Sequence, residues 1–435
     1  MIESAALYIG LFISGVLLAS FLGDLVYKIT KIPSVIWLML IGYALSHYFN
    51  VINPSEMREI EPIVGPLALA IVFFDAGLML NIFEFFFKSI RPLIFSILVV
   101  AFIAFGVAIV SHAIFGWDYA VGAILGAIFC GTGTAVVVPL MKGLHLSKDV
   151  VHFLTVEGAL TGVFAIILTA TLTDFVIFGT VDINTAGIAI ATSIGKGILI
   201  GTIVGVLWLL ILYKTGKLEY PYMITLAIMF FVYIVSDYVS GNGPLSALFF
   251  GMVMGNSSKI SEIIRLKHPP VDESTFIKFE SEFMFFFKSF FFIYLGTLII
   301  IVGDKIFIIS GVLVLILLVT RIFATFISTL GSRELGGNRF VLSAFITRGL
   351  KTAVLATLPL TIVHGYMKTH AYLPQLYPLA YIFRQFPDIV FIVIGVSVLL
   401  STFLIIFWSL IIGRRREQAK YSVAPKIIHE GELLE

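Results

Sequence analysis

The sequence predicts an all-α polytopic membrane protein of thirteen transmembrane helices arranged as inverted repeats. Three observations carry that prediction. The 435-residue chain is 59% hydrophobic and only 12% charged, with a mean hydropathy of +1.07, whereas soluble domains are about 25% charged. Its apolar runs reach the about 20 residues that a helix needs to cross the hydrocarbon, too long for barrel strands and suited to helices that satisfy their own backbones in lipid. Two of these runs are interrupted by Gly and Thr at positions seven spans apart.

In order, the spans are expected at 5–27, 33–49, 62–80, 92–116, 119–141, 150–178, 186–213, 220–239, 242–256, 276–303, 306–330, 339–364 and 386–412. The first follows Glu3 rather than a basic segment, so it reads as a retained span and not a signal peptide. The eighth and ninth divide at "SGNGP", Ser240 to Pro244. Loop charge orders the whole series. Loops after odd-numbered spans carry Lys28 and Lys31, Lys88 and Arg91, Lys142 and Lys148, Lys214 and Lys217, Lys259, Arg265 and Lys267, then Arg333 and Arg339. The tail adds Arg414, Arg415 and Arg416, while the other side offers Arg58, Lys305, Lys368 and Arg384. Excess Lys and Arg mark the cytoplasmic face, which puts the N-terminus outside and the C-terminus inside.

Other classes are excluded by composition. A net charge of +2 argues against nucleic acid. A single cysteine, Cys130, rules out an internal disulfide and a multi-cysteine metal centre. The short 413–435 tail leaves no room for a nucleotide-binding domain, and no phosphate-binding loop motif stands in a strand–helix context. No Ser/His/Asp, His-rich or paired-carboxylate constellation suggests an enzyme, and no cofactor is implied.

The two interruptions are "CGTGTAVVVP", Cys130 to Pro139, and "ITRGLKTAVLATLP", Ile346 to Pro359. Glycine costs about 1 kcal/mol in a helix interior, and Thr hydroxyls can bond the backbone groups a break sets free. An odd offset puts the two breaks in spans of opposite direction, the sequence mark of an inverted-repeat secondary transporter. Gly and Thr also allow close helix packing, which is the structural alternative.

Charged residues at membrane depth are costly and therefore candidates for function. Asp24, Lys88, Asp174, Asp237 and Lys305 lie near span ends, where they reach the interface. Lys196, Lys288 and Arg321 lie deeper and read as snorkelling or structurally paired, Lys288 having Glu280 and Glu282 within about two turns. Asp75, Glu157, Arg348 and Lys351 remain. Glu157 and Arg348 are the expected ion pair, a guanidinium being able to keep a deep carboxylate ionised. Lys351, three residues from Arg348, falls on the same face if that helix is intact.

The segments "FFDAGLML", "GTGTAVVVPL", "VEGALTG", "FFFIYLGTLI" and "TRGLKTAVLATLPL" occur in the order found in the monovalent cation:proton antiporter superfamily. The chain resembles its NhaP-type sodium/proton exchangers from about residue 5 to 412. The resemblance implies a homodimer whose two broken helices cross, at Thr132 to Thr134 and at Arg348 to Lys351. It also implies a dimerisation bundle (about 1–90 and 220–303), a transport bundle (91–180 and 304–412), a linker helix (186–215) and a cytoplasmic tail (413–435).

Within the resembled motif Glu157 and Thr161 fit, but Gly162 stands where the family places its ion- and proton-binding aspartate. Gly158 replaces a small polar ligand, and Gly133 replaces an aspartate of the first broken helix. Lys351 adds a cation where the family is usually apolar. The leading expectation is exchange of a monovalent cation, sodium, for a proton across a prokaryotic plasma membrane. Glu157 would be the exchanging carboxylate and sodium ligand, with Thr132, Thr134 and Thr161 supplying oxygens and Asp75 lining the access path. The alternatives are a degenerate homologue without exchange, or a carrier of another solute such as an anion held by Arg348 and Lys351 at broken-helix N-termini.

Overall fold

The computed structural model describes residues 2–30, 32–80, 90–133, 146–178, 183–215, 219–266, 273–299, 304–369 and 376–422. These residues form helices joined by short connections, with no strand among them. The first eleven expected spans each contain one principal helix: α1 (Ile2–Thr30), α2 (Ser34–Tyr43), α3 (Glu61–Leu78), α4 (Ile90–Phe115), α5 (Tyr119–Ile128), α6 (Lys148–Phe178), α7 (Ile183–Thr215), α8 (Pro221–Tyr238), α9 (Gly243–Gly255), α10 (Glu273–Leu298) and α11 (Asp304–Ser328). The twelfth is in pieces: α12 (Arg339–Ala344), α13 (Leu350–Leu355) and α14 (Leu358–Thr369). The last, α15 (Phe386–Ser422), continues beyond the expected end of its span. A short helix, Leu376–Phe383, precedes α15 and was not anticipated.

Eight helices are long and apolar enough to cross a bilayer, and shorter apolar helices at Ser34–Tyr48, Ile63–Leu78, Tyr119–Ile128 and Gly243–Gly255 accompany them. Local chemistry explains several boundaries. Asp118 caps α5 by accepting from Ala120 N at 2.8 Å, satisfying a donor that the helix itself leaves free. The division at "SGNGP" is real: Ser240 takes a positive φ of 55°, and Asn242 caps α9 by accepting from Leu245 N at 2.9 Å.

Packing places α9 against α3, α7 and α8, and α10 against α1, α2 and α3. A second set joins α4 to α5, α6 and α11, and α15 to α11, α12 and α13. Lipid supplies no hydrophobic drive between helices, so close backbone approach has to do the work. The α3–α9 seam shows this directly. A Cβ on Gly77, Gly251 or Gly255 would fall on the carbonyl oxygen of Leu248, Phe74 or Leu78 respectively.

Candidate functional site

The two interruptions meet inside the bundle. After α5 the chain runs without helical structure through residues 129–133, and after α12 it does so through 345–349. Gly133 N donates to Thr347 O at 2.9 Å, tying one interruption to the other. A Cβ at Gly133 would lie 3.0 Å from both the Arg348 carbonyl carbon and Gly349 N. Those neighbours are backbone atoms that cannot swing aside, so the crossing requires glycine.

Breaking a helix in lipid strands backbone groups that need partners. α15 supplies them. Ser401 Oγ accepts from Ile346 N at 3.0 Å and donates to Ala344 O at 2.6 Å. Ser397 Oγ accepts from Arg348 N at 3.3 Å. Thr352 reaches the other interruption, donating to Gly131 O at 3.4 Å. Sequence reading did not single out Ser397 or Ser401. Their signal was present as two hydroxyls four residues apart, hence on one helix face.

Glu157, on α6, is completely buried and lies beside the crossing. Arg321 of α11 grips it with two hydrogen bonds, Nη2 to Oε2 at 3.0 Å and Nη1 to Oε1 at 3.2 Å. Thr132 Oγ1 donates to Oε1 at 2.7 Å and accepts from Arg321 Nη1 at 3.1 Å. Thr161 Oγ1 donates to the Glu157 carbonyl at 2.9 Å and accepts from Thr132 N at 3.3 Å. Arg321 also donates through Nε to Leu342 O at 2.8 Å and lies over the Phe95 ring, 5.1 Å from its centroid. The result is a bidentate, charge-assisted clamp in a site without water-facing surface.

The expected Glu157–Arg348 pair is therefore corrected: the partner of Glu157 is Arg321, which is paired and does not snorkel. Arg348 is 1% exposed, its Nη1 donates to the adjacent Thr347 O at 3.2 Å, and its Nε has no hydrogen-bond partner. The helix-face argument for Lys351 fails as well. Arg348 lies before Gly349, which caps α13 with extended angles of φ −149° and ψ −152°, so residues 348 and 351 share no helix.

Lys351 nonetheless enters the site. A Cβ on Gly162 would sit 3.0 Å from Lys351 Nζ and 3.2 Å from its Cδ. The ammonium therefore lies against the position from which a side chain at 162 would project. The charges of Asp75 and Glu157 both act on it. Gly158 is buried in the same helix, and Thr134 lies outside the described residues. Asp75 stands in the last turn of α3, partly buried, with its carboxyl in hydrogen-bonding range of Glu280 on α10. The expected local network of Lys288 with Glu280 is thus replaced: Glu280 faces Asp75, and the charge that acts on Lys288 is that of Asp24. Lys196 does reach outward, donating to Val239 O at 2.9 Å.

A polar cavity of about 550 Å³ opens elsewhere, among Asp174, Tyr233, Asp237, Ser240, Thr361 and Tyr366. Thr132, Glu157 and Lys351 are not among its lining residues.

The model of the family described as "Sodium/hydrogen exchanger, transmembrane" matches residues 16–408. The chain belongs to the sodium/hydrogen exchanger family. Its fold is correspondingly similar to the sodium proton antiporter MjNhaP1 from Methanocaldococcus jannaschii. One structure of that antiporter, at pH 8, matches with a TM-score of 0.73 and 20% identity, covering 92% of this chain and 98% of that one. A second, from an electron-microscopy map, gives a TM-score of 0.70 and 18% identity with 100% of both chains covered. Membership makes this multi-pass membrane protein one of a family of cation/proton antiporters, and the all-helical antiporter fold expected from the sequence is the one found.

Proposed function

We propose that the chain exchanges sodium for a proton, one for one, by alternating access at the crossing of its two interrupted helices. The observation that carries this reading is the Lys351 ammonium lying against Gly162, under the charges of Glu157 and Asp75. That place already holds a monovalent cation on a tether. Among the described residues Lys351 has no ion pair or hydrogen bond fixing it there. Arg321, by contrast, is committed to Glu157 by two hydrogen bonds.

Glu157 is thus the negative charge against which sodium and the ammonium compete. The oxygens of Thr132 and Thr161 are within the same cluster and are hard ligands of the kind sodium takes. Sodium displaces the ammonium, not Arg321: removing one partner from a buried ion pair costs about 3–5 kcal/mol. The Asp174–Asp237 cavity stops short of the crossing, which fits a site closed toward that side. The two sets of packed helices fit a dimerising bundle and a moving bundle joined by α7. With the loop charges read as cytoplasmic, the cavity faces outward and Asp75 faces inward, in a plasma membrane of a prokaryote.

A second reading has its own observation. Among the described residues three cations, Arg321, Arg348 and Lys351, surround the one carboxylate of the crossing, Glu157, which suits an anion. Proteoliposomes loaded with a pH-sensitive dye separate the readings. Sodium, lithium and potassium gradients should move protons with sodium or lithium preferred, and Glu157→Gln should abolish the flux. Chloride-driven flux lost in Lys351→Ala would replace exchange by anion transport. Flux that arises only in Gly162→Asp would identify a site that has lost exchange.

A further inference from the structure

Among the described residues the crossing supplies a carboxylate and a movable cation, but no group that releases a proton when sodium arrives. We infer that Asp75 and Glu280 form a carboxyl pair that holds this proton between them, so that Glu280 takes over the proton-binding duty for which residue 162 has no side chain. The inference rests on the exchange reading above and adds a residue to it.

Packing brings the pair together. Phe74, next to Asp75, meets Phe276, one turn before Glu280, edge to face at 6.1 Å between centroids. Tyr222 of α8 lies tilted against Phe276 and Phe279, with ring centroids 5.3 and 5.8 Å apart. The two carboxyls therefore meet behind an aromatic wall. Glu280 is 3% exposed, and its Oε1 has no hydrogen-bond partner. Two bare carboxylates cannot donate to each other, and at such short range in an apolar setting they cannot both stay ionised. One proton between them supplies the donor that Glu280 lacks and removes the repulsion.

The surrounding groups define what controls that proton. Lys351 of α13 is the cation that faces Asp75, with Glu157 beyond it. On the other helices against α10, Asp24 of α1 acts on Lys288, and Tyr27 and Lys28 follow at the end of α1. Tyr43 of α2, His47 of the π-helical turn Ala44–Tyr48 that follows it, and Glu56 and Glu59 of the Pro54–Glu59 helix belong to the far end of α10, where Ser46 bonds Thr297 and Tyr294 bonds Met57. Asp388 of α15 also lies at that end, sharing a cavity with Leu298. The pair consequently responds to Lys351.

The exchange step then balances. With the pair singly protonated, Glu157, Arg321, Arg348, Lys351 and the pair carry one net positive charge. When sodium takes the place beside Glu157, the displaced ammonium moves toward Asp75 and stabilises both carboxylates. The proton leaves the pair for water, sodium adds the charge that the proton removes, and the net charge is unchanged. No covalent bond is made except the O–H or water–H bonds of that proton.

The test measures proton release directly. Sodium chloride is added to the purified full chain in weakly buffered detergent solution with a pH indicator, against choline chloride as control. The unmodified chain and Glu282→Gln, an exposed neighbour on α10, should release a proton for each chain, whereas Glu280→Gln and Asp75→Asn should release at least tenfold less. Each variant is checked for a monodisperse elution profile, and either one alone decides the matter. Full release from a folded Glu280→Gln or Asp75→Asn chain overturns the pair while leaving exchange intact. Release without liposomal flux supports the pair and sinks the exchange reading. Absence of release from the unmodified chain overturns the pair, and flux then reports separately on exchange.

Discussion

Arg321 and Arg348 are both deep arginines in apolar surroundings, and the difference between them is geometric. Arg321 sits within an intact helix whose neighbours include α4 and α12, which aims its guanidinium at Glu157, Phe95 and Leu342 together. Arg348 lies in the extended stretch before α13, where its own amide is needed by Ser397. Nothing in the spacing of the sequence distinguishes these fates, because partner choice depends on how separate helices register. Removing the guanidinium from Glu157 would leave a buried charge alone. Arg321→Ala should therefore lower stability by about 3–5 kcal/mol, and Arg321→Met with Glu157→Gln should recover part of the loss; thermal unfolding in detergent measures both. Ser397→Ala should cost about 1–3 kcal/mol for the Arg348 N–H it leaves unsatisfied, seen as faster amide exchange at Arg348.

One titrating contact lies outside the membrane. Glu334, in the short Arg333–Gly337 helix, faces Asp149 at the start of α6, and the shared hydrogen bond and like charge of Asp149 raise its pKa above the usual carboxylate range. A raised folded pKa means the protonated form is favoured in the folded state. That contact is strongest at low pH and is lost as pH rises through the raised value. Hydrogen exchange over residues 333–337 should accelerate across that interval, and Glu334→Gln should flatten the dependence.

At the scale of elements, hydropathy located helices because the bilayer leaves the backbone so few choices. The eighth–ninth division was legible from Gly and Pro, and the two interruptions from clustered Gly and Thr. What hydropathy could not show was the braces, since serines on α15 look like any small residues in an apolar helix. Nor could it show that Glu280 would turn toward α3 and away from Lys288 on its own helix. Gly133→Ala tests the crossing. Its Cβ would meet backbone 3.0 Å away, so the Gly133–Thr347 hydrogen bond should open and flux should fall at least tenfold even if the chain still folds. Gly162→Asp tests the other side of the site. The three atoms nearest that Cβ all belong to the flexible end of Lys351, so the aspartate should be accommodated, pair with the ammonium, raise the unfolding temperature and slow exchange at low sodium.

Across the whole molecule, the chain keeps the architecture of its family and sets Glu157, Arg321, Arg348 and Lys351 at its centre. Gly162 leaves a space that the Lys351 ammonium faces, and the proposed Asp75–Glu280 pair lies at the edge of the site. Such a centre can run neutral exchange because its positive and negative groups change places without changing their sum. The most direct test is sodium-driven proton movement by the unmodified chain in liposomes whose membrane potential is clamped at zero with potassium and valinomycin. The account predicts proton flux that persists under the clamp and carries no net current. A chain that moves no protons under a sodium gradient, or one whose flux is accompanied by current, contradicts it.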